Sequence, residues 1–214
     1  MSRPLKGQHG YLKYKKSSET VKTLIYFAIP LALFFAGYIT AGTKRNLLTI
    51  VAVLGFLPAS KNAVLMIMYL KSRLPGEVIF EKIENTVNSL PGDIKKNLIP
   101  LYDMVFTTSD HSFDVPALII YGGSVLGYLC KKDETGSRTD NKDKGKKKGV
   151  KASKTELLEK HLSSTLKKEG ITATVKIYDR TEAFTDRVGG LNVLERAGEK
   201  QDEHIRKVLC DISL

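Results

Sequence analysis

The sequence predicts a two-helix transmembrane hairpin followed by a small α/β domain, and three observations predict it. Residues 23–40 and 47–70 are apolar stretches separated by a short polar link. Lys and Arg gather in the segments that flank them. Beyond residue 76 the chain alternates strand-like and helix-like periodicities, the pattern of a mixed fold with one core.

A helix crossing about 30 Å of hydrocarbon at about 1.5 Å per residue needs roughly 20 mostly apolar residues. The first stretch, TLIYFAIPLALFFAGYIT, has no charge, carries Tyr26 and Tyr38 toward its ends, and is interrupted only by Pro30. A proline frees a carbonyl and bends a helix, which a neighbouring helix accommodates. The link, residues 41–46 (AGTKRN), is so short that the two helices must be antiparallel neighbours. Arg3, Lys6, Lys13, Lys15, Lys16 and Lys22 precede the hairpin and Lys71 and Arg73 follow it, against Lys44 and Arg45 in the link. Short segments rich in these cations stay cytoplasmic, so both ends of the hairpin are expected there, with residues 1–22 as a basic cytoplasmic segment. A cleaved secretory leader is the rival reading of residues 23–40, with Ala41 and Gly42 at its end. The second apolar run directly behind it favours the anchor.

That second run, residues 47–70, contains Pro58, Ser60, Lys61 and Asn62. A lysine within a span is costly and marks transport or proton relay where a partner acid exists, but residues 23–40 contain none. The expectation is that Lys61 snorkels to the headgroups, or that the last part of the helix lies at the interface.

The formal net charge of +11 is uneven. Between residues 131 and 154 ten Lys or Arg face only Asp133, Glu134, Asp140 and Asp143. Residues 132–152 have little to bury and are expected to form a disordered basic loop. Its Lys142, Lys144, Lys146, Lys147, Lys148 and Lys151 are candidates for contact with anionic lipid headgroups or nucleic acid, or simply a solvated run. Cys130 and Cys210, the only cysteines, are expected to be free thiols in a cytoplasmic domain. Metal-site spacing is absent, as are Walker A, HExxH and GxSxG sequences, which argues against several enzyme classes.

Residues 77–90 read as an amphipathic helix, with Val78, Ile79, Ile83, Val87 and Leu90 on one face, stopped by Pro91 and Gly92. Residues 98–108 are β-branched and aromatic and predict a strand; residues 113–121 and 124–131 predict two more, joined by a turn at Gly122 and Gly123. Ser153 and Glu156 have capping-box spacing, and Leu157, Leu158, His161, Leu162 and Leu166 line a helix ending at Gly170. Residues 171–178 alternate as a fourth strand. Thr181 caps a short helix broken at Gly189 and Gly190, and residues 200–212 form a last one burying Ile205, Val208, Leu209 and Ile212.

The order of helix, three strands, helix and strand, with the run FDVPALIIYGGSVLGYLCKK, resembles the core of the restriction-endonuclease-like nucleases, the PD-(D/E)xK superfamily. In that family an acid on the second strand and a (D/E)xK triplet on the third hold a divalent metal, and the lysine serves the attacking water. The resemblance places Asp114 as the first acid and metal ligand, Lys131 as the lysine, and Mg2+ as the ion. The triplet here reads Leu129, Cys130, Lys131, so its carboxylate is missing, and Glu77, Glu81 and Glu84 are the acids available in its stead. The resemblance thus implies a degenerate, inactive core. Over its whole length the chain also resembles uncharacterised two-span bacterial membrane proteins.

The leading expectation is a non-enzymatic, membrane-anchored protein whose cytoplasmic α/β domain, residues 77–214, binds or scaffolds a protein partner without a cofactor. The alternative is a membrane-tethered, metal-dependent nuclease.

Overall fold

The computed structural model describes residues 4–41, 47–72, 77–108, 111–130, 153–192 and 199–214. The chain divides into two compact units, one of residues 1–3 and 10–72 and one of residues 4–9 and 73–214.

The first unit is a helical pair. Helix α1 is Tyr11–Ala41 and α2 is Leu47–Lys71. Both are long and apolar enough to cross a membrane, the qualifying spans being Tyr11–Thr40 and Thr49–Lys71. They run antiparallel: Thr23 meets Asn62, Phe27 meets Phe56, and Pro30 meets Gly55. Thr23, Pro30 and Gly37 on α1 and Ala52 and Ala59 on α2 are buried. Each set repeats every seven residues, the interval that keeps a seam facing its partner, and its small side chains let the backbones approach. A Cβ on Gly55 would lie 3.1 Å from Pro30 Cγ, so this glycine admits the proline ring into the seam. Thr23 Oγ donates to the carbonyls of Glu19 and Asn62, closing the seam with polar bonds. Helix α2 continues through Pro58, and Lys61 is exposed. Helix α1 begins twelve residues before the apolar run, because the polar residues 11–22 are themselves helix formers.

The second unit is a four-stranded sheet with helices on both faces. Helices α3 (Glu77–Asn88) and α4 (Gly92–Asn97) lead into β1 (Ile99–Thr107), β2 (Ser112–Tyr121) and β3 (Ser124–Tyr128). Helix α5 (Lys154–Lys168), β4 (Thr174–Tyr178), α6 (Thr181–Gly189) and α7 (Glu199–Ile212) follow. The spatial order is β1-β2-β3-β4, with the first two pairings antiparallel and β3-β4 parallel. On one face Leu158, Leu162 and Leu166 of α5 and Ile205, Val208 and Leu209 of α7 pack on Leu118, Ile120 and Val125. On the other, Ile83 and Val87 of α3, Ile94 of α4 and Phe184 and Val188 of α6 pack on Ile119, Tyr121, Leu126 and Tyr128. Burying both faces gives the central strands their near-continuous apolar runs.

Several local expectations hold. The Gly122-Gly123 turn has both residues at positive φ, 58° and 75°. Its two amides donate to the buried Asp202 carboxylate of α7, at 2.8 and 2.7 Å. The capping box on α5 is present, with the Glu156 carboxylate accepting the Ser153 amide at 3.3 Å. Cys130 and Cys210 are not joined to each other in a disulfide. Helix α3 ends at Asn88, short of Pro91 and Gly92 as expected, but the short helix α4 follows at once where none was expected, and β3 and β4 are shorter than the runs that predicted them.

Residues 4–9 belong to the sheet unit, which nothing in the basic segment 1–22 suggests. The Tyr102 amide donates to the Gly7 carbonyl at 2.8 Å, and Lys6 Nζ donates to the Ser213 carbonyl at 2.6 Å. The Leu214 amide donates to Val105 at 2.9 Å, and Phe106 bridges Ser213. Two segments distant in sequence thus cover the outer edge of β1, the protection that an edge strand needs. Gly7 is required at φ +87°, and a Cβ there would come within 2.6 Å of Leu101 Cδ2.

Candidate functional site

The nuclease resemblance points to the end of β2 that carries Asp114. Asp114 is half-buried and lies opposite Val105 of β1. Its neighbours Phe113 and Val115 belong to the core beneath α5 and α7, so by alternation Asp114 faces the α3 side. Leu129 follows β3, donates its amide to Tyr178 at 2.8 Å, and packs in the α5/α7 core. The triplet's first position and Asp114 therefore occupy opposite faces of the sheet. Glu77, Glu81 and Glu84 are exposed on α3. Among the described residues no group of three or more His, Cys, Asp or Glu is placed to hold a metal ion. Lys131 lies outside the described residues, as do Lys142, Lys144, Lys146, Lys147, Lys148 and Lys151 of the basic loop.

What sequence reasoning missed lies beside Asp114, at a break shared by β1 and β2. Leu101 and Met104 of β1 lie in the same core, and so do Val115 and Leu118 of β2. Each pair is three residues apart, whereas one face of a strand repeats every two. The register is nonetheless unshifted across the break, from Tyr102 with Ala117 to Met104 with Val115, with only the 103/116 pair omitted. Two residues account for this. Asp103 adopts φ +55°, a left-handed conformation that short polar side chains tolerate better than others, and Pro116 has no amide to donate. A proline is out of place in a central strand unless the ladder opens there. Here both strands turn over together, so register survives while the side-chain faces exchange.

Asp103 is buried, and His9 Nδ1 lies 3.9 Å from its Oδ2. The His9 ring stacks on Phe80 of α3 with centroids 3.7 Å apart, and Phe80 meets Tyr102 edge-on at 5.2 Å. Burial, reinforced by the nearby negative charge of Glu84, pushes the Tyr102 phenol up to about 12. The cluster joins residues 4–9, β1 and α3 through a half-exposed imidazole beside an enclosed acid. Chemically it offers an ion pair when His9 is protonated, and an aromatic stack in either state. The one sequence clue was an acid inside an apolar strand, Tyr102-Asp103-Met104.

The helical unit carries a groove of about 400 Å³ lined by Thr20, Thr23, Leu24, Phe27, Ala63 and Met66. It runs between α1 and α2 and is apolar apart from the two threonines. No protein-family model, curated protein or solved structure matches the chain.

Proposed function

We propose that this is a membrane-anchored protein whose α/β domain works by binding a partner rather than by catalysis, held at the cytoplasmic face by a two-span hairpin. The observation that carries the anchor is the outward surface of α1 and α2. Leu24, Ile29, Ile39, Leu47, Val53 and Leu57 are all more than half exposed, in two helices packed antiparallel along a seam of small residues. In water such a continuous apolar surface exceeds what a soluble monomer tolerates, whereas hydrocarbon is its natural solvent. The cytoplasmic placement of both hairpin ends rests on the distribution of Lys and Arg.

Binding without catalysis is favoured by position 129. The residue that would supply the second carboxylate of a nuclease is a leucine inside the core, on the face of the sheet away from Asp114. A membrane-tethered nuclease is the second reading, supported by the order helix, three strands, helix, strand and by an acid on β2.

Alkaline carbonate extraction of membranes from cells expressing the full chain tests the anchor, which requires the protein to stay in the pellet. Impermeant maleimide labelling of single cysteines at Ser17 and Thr43, in a Cys130→Ser/Cys210→Ser background, reports sidedness. In intact cells the proposal requires labelling at 43 and protection at 17. Incubation of the purified chain with DNA and RNA in Mg2+ or Mn2+ separates the two activities. Cleavage lost in Asp114→Ala would overturn the binding reading.

A further inference from the structure

We propose that two copies of this chain pair edge to edge through β4, antiparallel about a two-fold axis at Val175, so that their sheets join into one. This deepens the binding reading above by naming the partner, and it rests on the membrane anchor. The first observation is the outer edge of β4. In the parallel ladder with β3, the Thr174 amide donates to Gly123 at 3.1 Å and the Tyr178 carbonyl accepts from Leu129 at 2.8 Å. Successive residues of a strand direct their main-chain groups to opposite sides, so Thr174, Lys176 and Tyr178 address β3 while Val175 and Ile177 address the outside. The Ile177 amide accordingly donates to Glu159 Oε1 of α5 at 2.7 Å. Neither main-chain group of Val175 makes a hydrogen bond on that side among the described residues. Whereas two segments of the chain lie along β1, one carboxylate guards one amide of β4.

The second observation is register. Directly opposed residues of an antiparallel pair can exchange both of their main-chain bonds. A two-fold axis at Val175 therefore satisfies its amide and carbonyl with those of its own counterpart, and leaves Glu159 on Ile177. It also sets Thr174 opposite Lys176 of the second copy, both of them exposed. An axis at Lys176 would oppose two ammonium groups, and an axis at Ile177 would evict Glu159 from the amide it holds.

The third observation is charge on α5. Because β3 and β4 are parallel, the helix that connects them runs back antiparallel to β4. Glu159 stands beside Ile177, and Val175 lies about 6.6 Å back along the strand at about 3.3 Å per residue, a length that α5 covers in about four residues at 1.5 Å each. The axis therefore passes near Ser163. Glu159, Ser163 and Lys167 form one i, i+4 row on the side of α5 that overhangs the edge. Across the axis Glu159 falls opposite Lys167 of the second copy, twice by symmetry, with the small Ser163 between them. Lys167 is exposed and has no ion pair among the described residues, and Glu159 meets Lys176 only at 4.0 Å. The surface is thus complementary to itself. Magnitude also favours a second copy over a foreign peptide. Two main-chain bonds are worth about fivefold in affinity each, too little to retain a soluble strand, and a longer match would have to displace Glu159. Copies anchored in one bilayer are confined to a thin layer, and their raised effective concentration makes so short a match sufficient.

A lysate is not needed to test this, because the partner is the chain itself.

The experiment is oxidative cross-linking of full-length chains in native membranes with copper phenanthroline, in the Cys130→Ser/Cys210→Ser background. Chains carrying Thr174→Cys and one affinity tag are co-expressed with chains carrying Lys176→Cys and another tag. Both positions are exposed, so neither substitution disturbs the core. In the proposed register they form a directly opposed, non-hydrogen-bonded pair with Cα atoms about 4.5 Å apart, within disulfide reach. Two copies of Lys176→Cys stand about 8 Å apart, beyond it. The mixed cross-link should therefore form about tenfold faster than the Lys176→Cys pair. Lys167→Glu in both chains sets an acid against Glu159 twice and should lower the mixed yield about fivefold. No mixed cross-link, equal rates for the two pairs, or an unchanged yield in Lys167→Glu would overturn the pairing. A cross-link from Thr174→Cys to a protein bearing neither tag would put a foreign strand on this edge and would overturn the second copy as its occupant. Loss of the protein from carbonate-washed membranes would instead defeat the anchor, whereas a pelleted protein without the mixed cross-link defeats this inference alone.

Discussion

Replacing Asp202 by alanine tests how the β2-β3 hairpin, and with it the strand that carries Asp114, is held in place. Asp202 is 4 % exposed, and its two oxygens accept the Gly122 and Gly123 amides. Both glycines are at positive φ, so their amides point the same way and form a small anion-binding concavity. A hydrogen bond to a charged group contributes about 1.5–3 kcal/mol, and two such bonds set an upper limit of about 6. The turn is only half-buried, so water replaces part of what is lost. The expected cost of Asp202→Ala is therefore about 2–4 kcal/mol. In a chain of this size, that corresponds to a fall in Tm of about 5–15 °C. Asp202→Asn keeps one acceptor oxygen and should lose about half as much. The assay is thermal unfolding of the full chain in detergent, followed by near-ultraviolet circular dichroism from the tyrosines packed on the sheet. A change below about 0.5 kcal/mol in Asp202→Ala would show that the turn holds itself without α7.

Three further outcomes are expected. Gly7→Ala should loosen residues 4–9, because the new Cβ meets Leu101 at 2.6 Å in a left-handed backbone; the check is faster hydrogen exchange at the Tyr102 amide, with amides of β3 unchanged. Gly127→Ala places a Cβ 2.6 Å from Ile177 Cδ1 and should cost about 1–2 kcal/mol in denaturant melts, recovered when Ile177→Val removes that methyl. The third concerns alkaline pH. With its folded value raised to about 12, Tyr102 adds stability that is fully present below its unfolded value of about 10 and is lost as pH rises through 12. Melts between about pH 9 and 12 should show a loss of no more than about 2 kcal/mol from this residue, absent in Tyr102→Phe.

The elements legible in the sequence were those whose pattern is local. The apolar runs, the β-branched and aromatic residues 98–108, the strand-like residues 113–121, the Gly122-Gly123 turn and the Ser153/Glu156 cap each carry their own composition or turn chemistry, and each forms. Helix α4 was missed because Pro91-Gly92 reads as a terminator. Pro91 is in fact the N-cap, and burial of Ile94 holds the single turn that follows. The face exchange at Asp103 and Pro116 was not legible, because a positive φ on an aspartate leaves no mark in composition. Nor was the placement of residues 4–9, which depends on partners near residues 101 and 213. Of the candidate site, Asp114 was placed on the correct strand, but alternation beyond β3 puts Leu129 on the other side. The calculation that fails there is simple: a triplet aligned by element order carries no information about which way its first side chain points.

The covered edge of β1 also limits how this domain can recruit anything. Strand addition works by offering a visitor an idle row of main-chain donors and acceptors, with side-chain pockets adding selectivity. On β1 the Tyr102 amide and the Val105 carbonyl are already engaged, by residues tethered to the same polypeptide. A tethered competitor acts at an effective concentration of about millimolar or above, so an incoming extended peptide of ordinary affinity would be outcompeted. Strand-mimicking peptides should therefore fail at β1 unless Gly7 is first dislodged.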